Sequence, residues 1–539
     1  MSHPLPPKPN WSKILKPGQR IFLGSGAACP LALVEDFLPH TRVLGDIELI
    51  QTLTLGPAPW HDPAYDNHLK VNAFYLDPRL SDLVNRGIED YTPAHLSEIP
   101  NLFREHVIPI DIALISVSPP DAYGYCSFGP QVELNTAATE SVSTIIAQIN
   151  PALPRCHGLS FIHISEIDYA ITAESPLPQW ILPALDTADL KIGAYVAQLV
   201  EDGDTIQIGI SPIGQSVLKN LADHRHLGVH SETISDGIQN LFEAGVIDNS
   251  KKSLLPGKII TSKAMGTTAH YQFLHDNPHI DFRPSDFVNN PLIIARNDRM
   301  VAVHNALNVD LTGQPVVDSL QGRFRAGLGS QSDFLRGASL SKKGRPIIAL
   351  RSAEMDAKGK LVSNITSQLP AGAGVAINRA DVHYIVTEYG VATLRGRTVQ
   401  ERATEIIQIA HPDFREALLE SAVKQNLVPR YFQLPPPYED KSEGIQIRKI
   451  RLHDEHDYIL RPLTPADDRR LQDFFYSHTK ETITRRYGFS LTRMSRERAF
   501  ELVGIDQNID LALALIELQG PRQVIHGVGR YYLDRNETS

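Results

Sequence analysis

The stretch IQIGISPIGQSVLKNLADHRHLGVHSETISDG, residues 206–237, contains two short apolar runs separated by a segment of helical length. Thr205–Ile210 predicts a strand that enters a turn of glycine, serine and proline, and Ser216–Leu221 predicts the helix that follows. Backbone N–H groups at the start of such a helix favour an anion, although the same turn is common as a plain crossover between parallel strands. The stretch therefore predicts one βα unit of an α/β fold.

The second apolar run of this stretch leads to a carboxylate. In LGVHSETISDG, residues 227–237, Glu232 lies at the carboxyl end of a predicted strand, where open α/β sheets place their ligands. From its position alone, Glu232 is a nucleophile, a general base, a helix cap or one half of a salt bridge. The adjacent His230 and Ser231 are not part of a GxSxG motif, which argues against a serine hydrolase.

The same alternation of apolar runs and amphipathic segments extends over about residues 20–430. It predicts βα units around largely parallel sheets, because parallel strands need a crossover segment between them. Further predicted elements are the strands Arg20–Leu23, Ile112–Val117, Leu292–Ala295, Ile347–Leu350 and His383–Val386 and the helix Thr398–Ile409. No repeat of fixed period is visible, which disfavours solenoids and propellers.

Composition limits the class of protein. The chain has 539 residues, enough for roughly three to four domains, and its 42% apolar and 21% charged residues are typical of folded globular proteins. A net charge of -10 and the lack of a Lys/Arg block give no reason to expect nucleic acid as a partner. No segment has the apolar core of a signal peptide or about 18 uninterrupted apolar residues, so we expect no membrane association and predict a cytoplasmic protein.

Cysteine and histidine usage predicts no metal site. Cys29, Cys126 and Cys156 lack the paired spacing of a zinc site and are too few for a disulfide framework, which favours a reducing compartment. His163 and His383 each lie alone in a predicted apolar strand, where a hydrogen-bonded structural histidine is more common than a metal ligand.

A glycine-rich segment, RAGLGSQSDFLRGASLS, covers residues 325–341. Gly327 and Gly329 allow the backbone to approach a bulky ligand closely. Arg336 is either a phosphate ligand or the partner of Asp333 in a structural ion pair.

A pair of asparagines, Asn289 and Asn290, precedes Pro291. In such a loop asparagine forms turns more often than it donates to a reacting group.

A nicotinamide oxidoreductase is excluded, because no GxGxxG motif with an acidic residue about 20 positions later is present.

The motifs occur together in an order that resembles one family. The chain is similar, over about residues 10–430, to the acetyl-CoA hydrolase/transferase family, class I CoA-transferase relatives that include 4-hydroxybutyrate CoA-transferase and acetate-using CoA-transferases. The resemblance rests on SPPDAYGYCSFG (118–129), HISEID (163–168), LGVHSETISDG (227–237), VNNP (288–291), NVDLTGQ (308–314), GLGSQSDFLRGAS (327–339), VHYIVTEYGVATLRGRTVQERA (382–403) and IAHPDFRE (409–416).

The resemblance implies two similar CoA-transferase α/β subdomains with the active site between them, usually in a homodimer. We expect an N-terminal subdomain over residues 1–185, a second subdomain carrying the nucleophile over 186–433, and a linker over 434–446. The expected substrates are an acyl-CoA and a small carboxylic acid, and neither a metal nor a redox cofactor is expected.

The resemblance also implies roles for individual residues. Glu232 matches the nucleophilic carboxylate of the family, and Asn289 matches the asparagine that helps to stabilise the oxyanion. Backbone amides around Ile210 and in the Gly327–Ser330 loop match the other oxyanion and CoA-contacting positions of the family. The residues expected to bind CoA are therefore Ile210, Ser211, Gly327, Gly329 and Ser330, together with Arg336 as the phosphate candidate noted above.

Two departures from the family pattern lie in these contact loops. The chain has Gly209-Ile210-Ser211-Pro212 where the family has GIG or GVG, and GLGSQ where the family has GVGGQ. Because a Cβ atom disfavours positive φ, we expect Ser330 to restrict its loop and to narrow the approach to CoA.

Residues 447–539 resemble the opening part of a GNAT-type acyltransferase domain, which is an α+β fold. A strand precedes Thr464, a predicted helix cap followed by Pro465 and an acidic first turn, and Leu511–Leu518 with Val524–Tyr532 predicts a hairpin. The loop that holds the pyrophosphate of acetyl-CoA in that family is not found here. We expect a truncated or structural appendage without acetyltransferase activity.

Three functions fit these observations. The first is a CoA-transferase that works through a glutamyl-CoA thioester on Glu232, and the second is an acyl-CoA hydrolase in which water captures the same intermediate. The third is a catalytically weak acyl-CoA-binding or regulatory protein, suggested by Ser211, Ser330 and the fused C-terminal segment.

Overall fold

The computed structural model describes residues 4–65, 68–430, 448–452, 456–464, 467–487, 493–505, 510–519 and 522–532. The chain divides into two compact units. The first contains residues 1–308, 315–350 and 369–383, and the second contains residues 309–314, 351–368 and 384–539. The linker predicted at 434–446 lies outside the described residues.

The first unit contains a sheet of seven parallel strands and a separate antiparallel pair. The strands are β1 (Arg20–Leu23), β2 (Ile47–Gln51), β3 (Leu69–Ala73), β4 (Asp90–Tyr91), β5 (Ile112–Val117), β6 (Tyr125–Ser127), β7 (Thr144–Ile149), β8 (Phe161–His163) and β9 (Tyr169–Thr172). The sheet order is β4-β3-β2-β1-β5-β7-β9, while β6 pairs with β8. Every residue of β5 is buried, as expected for a parallel strand covered on both faces.

A second parallel sheet follows in the same unit. Its strands and the short strands near it are β10 (Thr205–Ile208), β11 (Gly228–Ile234), β12 (Ile259–Ala264), β13 (Ile280–Phe282), β14 (Met300–Asn305), β16 (Pro315–Val316), β17 (Ser319–Leu320), β18 (Arg323–Phe324) and β19 (Arg345–Ala349). Within this unit the sheet order is β13-β12-β11-β10-β14-β19. The first six strands of the other sheet have the equivalent order, so the two sheets share one doubly wound arrangement.

The strand order of the second sheet reverses between β10 and β14. In doubly wound sheets, the chain leaves the two strands beside such a reversal toward opposite faces of the sheet. A crevice therefore opens at the carboxyl ends of these two strands. The carboxyl ends of β10, β11, β12 and β14 are therefore where a ligand site is expected.

Helices connect the strands of the first unit. They are α1 (Trp11–Ile14), α2 (Leu31–Leu44), α3 (Pro78–Asn85), α4 (Ile99–Arg104), α5 (Asn135–Ser141), α6 (Thr187–Ala197), α7 (Pro212–Lys219), α8 (Asp236–Glu243), α9 (Thr268–Leu274), α10 (Ser285–Val288), α11 (Pro291–Ile294) and α12 (Gln331–Leu340). Short 3₁₀ segments cover Pro59–His61, Pro63–Tyr65 and Ile164–Glu166. The subdomain boundary predicted at residue 185 lies between β9 and α6.

The second unit contains a four-stranded antiparallel sheet and several short strands. Its strands are β15 (Asn308–Asp310), which begins at the unit boundary, β20 (Ala353–Met355), β21 (Leu361–Ser363), β22 (Ile365–Thr366), β23 (Tyr384–Thr387), β24 (Gly390–Thr393), β25 (Arg448–Arg451), β26 (Asp457–Pro462), β27 (Leu511–Gln519) and β28 (Arg522–Tyr531). Its helices are α13 (Val399–Gln408), α14 (Pro412–Lys424), α15 (Asp468–Tyr476), α16 (Lys480–Tyr487) and α17 (Arg496–Val503). The four-stranded sheet has the order β25-β26-β27-β28.

Most predicted elements of the α/β region are found with small shifts, but one is wrong. Leu292–Ala295 was predicted as a strand, whereas Pro291–Ile294 is helix α11. Asn290 caps this helix by accepting a hydrogen bond from Leu292 N, and Pro291 occupies its first position. A four-residue apolar run is compatible with either structure, and here the cap and the proline select the helix.

The C-terminal hairpin prediction is confirmed, because β27 and β28 pair in an antiparallel register. The predicted helix start is wrong: α15 begins at Asp468, and Asp467 rather than Thr464 occupies the cap position. The Asp467 carboxylate accepts hydrogen bonds from the backbone N–H and the hydroxyl of Thr464 and from Arg461. Pro465 lies outside the described residues.

Candidate active site

Glu232 is the fifth residue of β11, so the strand continues two residues beyond the predicted carboxyl end. Its side chain is 13% exposed. On the neighbouring strand β12, the Nζ atom of Lys263 lies 2.6 Å from Glu232 Oε1. Of the structural interpretations left open by the sequence, the salt bridge is the one observed.

Lys263 has a second carboxylate partner. Its Nζ atom also lies 2.6 Å from Oε1 of Glu133, whose side chain is 1% exposed. The other carboxylate oxygen of Glu133 accepts hydrogen bonds from Gln131 Nε2 at 2.7 Å and Thr52 Oγ1 at 3.1 Å. Glu133, Lys263 and Glu232 therefore form a continuous group, called here the carboxylate–lysine cluster.

Backbone hydrogen bonds explain why Glu133 reaches the second sheet. The amides of Val132 and Glu133 both donate to the carbonyl oxygen of Ser262, and the amide of Ala264 donates to that of Pro130. Residues 130–133 are thus fixed along β12 on both sides of Lys263. Thr52 comes from the end of β2, so elements of both sheets meet at the cluster.

The charges in the cluster are set by burial and by the shared lysine. Burial alone raises the pKa of Glu232, but Lys263 and a hydrogen bond from the Ser330 hydroxyl outweigh it and hold this pKa below its usual range. Burial and the charge of Glu232 both raise the pKa of Glu133, while the charge of Lys263 lowers it. Burial opposes the charge of Lys263, yet the two carboxylates together raise its pKa. At neutral pH, Glu232 is therefore an ionised carboxylate beside a charged lysine.

Two further side chains act on Glu232. Burial lowers the pKa of His304 to about 4, even though the charge of Glu232 opposes this, so the imidazole is neutral at pH 7. Its Nε2 atom has no hydrogen-bond partner within the part of the chain that the structure describes. Burial and the charge of Glu232 both raise the pKa of Tyr75, which stays protonated.

Ser330 differs from the sequence-based expectation. Its φ is -87°, whereas the preceding Gly329 has a φ of +55°. The predicted conflict between the Cβ of Ser330 and a positive φ is therefore wrong, because glycine occupies the position with that conformation. Ser330 instead directly precedes α12, and its hydroxyl contributes to the lowered pKa of Glu232.

The glycines of the same loop allow it to pack against Tyr75. A Cβ atom at Gly327 would lie 2.6 Å from the carbonyl oxygen of Phe74 and 2.7 Å from Cα of Tyr75, closer than any side chain permits. The amide of Leu328 donates to the hydroxyl of Tyr91 at 3.2 Å, so this N–H is already engaged. The glycines thus have a packing reason, and CoA contact by Gly327 and Gly329 stays a prediction.

Asn289 is fully buried, and neither polar atom of its side chain has a hydrogen-bond partner among the described residues. The backbone N–H of Asn289 donates to the carbonyl oxygen of Ser285. The backbone N–H of Ser285 donates in turn to the carbonyl oxygen of Glu133 at 3.0 Å. The carbonyl oxygen of the adjacent Val288 accepts a hydrogen bond from His230 Nε2 at 2.8 Å. A buried carboxamide without partners is costly, so its position favours a role that a ligand completes.

The turn after β10 offers fewer amides than the sequence suggested. Ser211 caps α7, and its hydroxyl accepts a hydrogen bond from the amide of Gly214 at 3.0 Å. Pro212 follows as the first helical residue and has no N–H. The turn nevertheless lies at the carboxyl end of β10, between β11 and β14 in the sheet. CoA contact by Ile210 and Ser211 stays a prediction.

Arg336 is half-exposed and pairs with Asp381 at 2.7 Å. The alternative partner suggested by the sequence, Asp333, is wrong, because its carboxylate accepts hydrogen bonds from Ser97. A phosphate contact by Arg336 stays a prediction.

His163, one of the two histidines that lie alone in a predicted apolar strand, has partners within the protein. His163 contacts Ser165 and the carbonyl oxygen of Tyr123, and it caps a short 3₁₀ segment. Within the described ranges, no group of three or more His, Cys, Asp or Glu side chains is arranged to hold a metal ion. In the same ranges, no helix has both the length and the apolar character needed to cross a membrane.

Sequence reasoning found Glu232 but missed its neighbours. Glu133, Lys263, His304 and Tyr75 were not singled out, although a lysine within the apolar run IITSKA was a usable signal. Glu133 lies four residues after the quoted motif 118–129, but nothing local marks it as a partner of a residue 130 positions away.

Comparison with known proteins identifies the family of this chain. The family model described as the acetyl-CoA hydrolase/transferase N-terminal domain matches residues 10–179, and the model for the C-terminal domain matches residues 266–422. Glu232 lies between these two stretches. The fold and the matches together define the class as α/β enzymes that act on acyl-CoA.

The relatives define the family more closely. The 4-hydroxybutyrate coenzyme A transferase of Clostridium kluyveri is 43% identical over 75% of this chain and 94% of its own length. The crystal structure of 4-hydroxybutyrate CoA-transferase from Porphyromonas gingivalis is 36% identical, with a TM-score of 0.66 over 77% of this chain and 95% of that one. An acetyl-CoA hydrolase of Saccharomyces cerevisiae is more distant, at 25% identity over 74% of this chain and 83% of its own length.

The chain belongs to the acetyl-CoA hydrolase/transferase family. It is an enzyme of the CoA-transferase or acetyl-CoA hydrolase kind.

Proposed function

We propose that this enzyme transfers CoA between a short-chain acyl-CoA and a carboxylic acid through a thioester on Glu232. The observation that carries the proposal is the 13% exposed carboxylate of Glu232, which lies 2.6 Å from Lys263 Nζ near the strand-order reversal of the second sheet. Lys263 holds the pKa of Glu232 below its usual range, so this carboxylate is ionised at neutral pH. A carboxylate in this state is competent to attack a thioester. The named transferases among the relatives support the same reaction class.

The proposed reaction begins at the carbonyl carbon of the acyl-CoA. A Glu232 oxygen forms a C–O bond there, the C–S bond breaks, and the products are a mixed anhydride and a CoA thiolate. The thiolate then attacks Cδ of Glu232, which releases the acyl group as a carboxylate and leaves a glutamyl-CoA thioester. An acceptor carboxylate reverses both steps and leaves with CoA.

Asn289 is proposed to stabilise the oxyanion that forms in each attack. Its Nδ2 atom is buried and has no partner within the described residues, so it is available to donate. Removal of one such donor typically lowers the rate by about 10²–10³-fold. We propose that Ile210, Ser211, Gly327, Gly329, Ser330 and Arg336 contact CoA or the oxyanion.

Transfer is favoured over hydrolysis by the state of the groups near Glu232. Hydrolysis of the thioester needs a base for water, and Glu133 is occupied by Lys263, Gln131 and Thr52. His304 is a weak base, because burial lowers its pKa to about 4. Acetate, succinate and butyrate are the first acceptor acids to test.

We further propose that residues 447–539 are a GNAT-like portion with a structural role. The order of two strands, three helices and a hairpin supports this interpretation.

A homodimer is proposed from the family resemblance, and light scattering of the purified enzyme tests it. A cytoplasmic location is proposed because Cys29, Cys126 and Cys156 are all buried and unpaired.

Intact-protein mass spectrometry tests the Glu232 mechanism. The wild type is incubated with acetyl-CoA without an acceptor, and we expect a mass increase of CoA less one water on the peptide that contains Glu232. The Glu232→Gln variant should lack this adduct and the transferase activity. Release of CoA without an adduct supports hydrolysis, and full transferase activity in Glu232→Gln contradicts the proposed nucleophile.

A further inference from the structure

The nucleophile that we propose becomes an electrophile during the reaction. When Glu232 carries CoA, its Cδ atom is a reactive thioester carbon. Lys263 Nζ lies 2.6 Å from Oε1, which is bonded to that same carbon. A neutral lysine amine held so close to a thioester is an efficient competitor of any incoming carboxylate, because proximity removes most of the entropic barrier.

The competing reaction is an aminolysis. The lone pair of Lys263 Nζ would attack Cδ of Glu232, a C–N bond would form and the C–S bond would break. CoA would leave as a thiolate and take up the proton released from nitrogen. The product, an isopeptide between Glu232 and Lys263, would permanently remove the nucleophile.

The charge of Lys263 decides whether this reaction occurs, since an ammonium group has no lone pair. In the free enzyme, two carboxylates hold the lysine protonated. Once Glu232 is esterified, one of these charges is lost. A buried lysine without a counter-charge readily gives up its proton.

Glu133 is placed to prevent that loss. Its side chain is 1% exposed and its Oε1 atom lies 2.6 Å from Lys263 Nζ. Hydrogen bonds from Gln131 and Thr52 occupy the opposite oxygen and fix its orientation. The other titratable groups facing Glu232 are His304, which is neutral at pH 7 because burial lowers its pKa to about 4, and Tyr75, whose phenol is neutral at this pH and whose pKa burial raises further. When Glu232 is neutral, one of the two causes that raise the pKa of Glu133 is lost, while Lys263 and the hydrogen bond from Thr52 still lower it, so Glu133 keeps its negative charge beside Lys263.

We propose that Glu133 is a positioning residue that keeps Lys263 protonated while Glu232 carries an acyl or CoA group, and so protects the enzyme from cross-linking itself. The proposal rests on the proposed thioester mechanism. It assigns the two carboxylates separate tasks. Glu232 reacts, and Glu133 keeps the neighbouring lysine from reacting.

The test uses the full-length enzyme incubated with acetyl-CoA without an acceptor. We expect Glu133→Gln to lose activity with time and to lose the mass of one water, with a cross-link between the peptides that contain residues 232 and 263. The cross-link should form at least about tenfold faster than in the wild type, because removal of the counter-charge lowers the pKa of Lys263. The double variant Glu133→Gln/Lys263→Met should form no cross-link.

Glu140→Gln is the matched control. Glu140 is exposed and pairs with Arg104, so this variant removes a glutamate charge outside the cluster. It should behave like the wild type. If Glu133→Gln does not fold, Glu133→Asp keeps the charge one methylene further from Lys263 and should cross-link at a lower but measurable rate.

Two results would overturn the proposal. One is a Glu133→Gln or Glu133→Asp enzyme that forms the CoA adduct on Glu232 without faster cross-linking. The other is equal cross-linking in the wild type. If the wild type forms no adduct and Glu232→Gln remains active, the thioester mechanism itself fails, which separates the two proposals.

Discussion

Lys263 Nζ lies 2.6 Å from Glu232 Oε1 and 2.6 Å from Glu133 Oε1, so one buried cation joins the proposed nucleophile to a second carboxylate. Two carboxylates this close to one another cannot both remain ionised at low cost without the lysine. The ion pair therefore sets the pH range in which Glu232 is ready to react.

Replacing Lys263 with methionine should move the acidic limb of the pH–kcat/KM profile upward by about one pH unit or more. The limb moves upward because Lys263 now holds the pKa of Glu232 below its usual range. Without Lys263, burial and the charge of Glu133 raise that pKa. The nucleophile would then be ionised only at higher pH. Steady-state transferase rates across pH measure the shift.

Lys258→Met is the matched control for this prediction. Lys258 is exposed, directly precedes β12 and donates to the carbonyl oxygen of Pro278 rather than to a carboxylate. Its pH profile should coincide with that of the wild type. A parallel loss of rate at every pH in Lys263→Met, without a shift of the limb, would contradict the assigned role.

The adjacent residues Asn289 and Asn290 should separate function from stability. Asn289→Ala should lower kcat by about 10²–10³-fold while leaving the midpoint of thermal unfolding nearly unchanged, because its polar atoms have no partners in the described structure. Asn290→Ala should cost about 1 kcal/mol of stability and retain activity, because Asn290 caps α11. Calorimetry and initial rates on both variants measure the two effects.

If Asn289→Ala lost stability and Asn290→Ala lost activity, the roles assigned to the two asparagines would be reversed. If Asn289→Ala retained its rate, the oxyanion role would have to belong to another donor. If Asn290→Ala lost activity without losing stability, its cap would not be its main role.

The sequence predicted the α/β class and the strand that carries Glu232, because a parallel sheet has a strong local signature, but that strand continues two residues beyond the predicted end. It did not predict that Lys263 faces two carboxylates. That arrangement depends on backbone hydrogen bonds from Val132 and Glu133 to Ser262, which join distant parts of the chain. Local patterns carry no information about such contacts.

At Pro291–Ile294, by contrast, the local sequence contained the signals for the observed helix. Its apolar residues suggested a strand, while the signals that select the helix, an asparagine cap and a first-position proline, were read only as a turn. The resemblance to the family gave Asn289 of the same Asn-Asn-Pro segment an oxyanion role, and that role stays a prediction.

Gly327→Ala should impair substrate binding through packing. The added Cβ would lie 2.6 Å from the carbonyl oxygen of Phe74, so the loop or the Phe74–Tyr75 backbone must move. We expect KM for acyl-CoA to rise by about tenfold or more, since such small displacements at a site are costly. Gly529→Ala is the control, because nothing lies within 4 Å of the added atom. An unchanged KM in Gly327→Ala would show that the loop does not position the substrate.

Ser330→Gly restores the glycine of the resembled family and tests what the serine contributes. The structure gives Ser330 a φ of -87°, so removal of its Cβ relieves no strain. It does remove the hydroxyl that helps to hold the pKa of Glu232 low. We expect the acidic limb of the rate profile to move upward and kcat/KM at neutral pH to fall by about two- to tenfold, the usual range for one hydrogen bond. Ser330→Ala should behave like Ser330→Gly, because the two variants share only the loss of the hydroxyl. A gain of activity in Ser330→Gly that Ser330→Ala does not share would mean instead that the Cβ obstructs CoA.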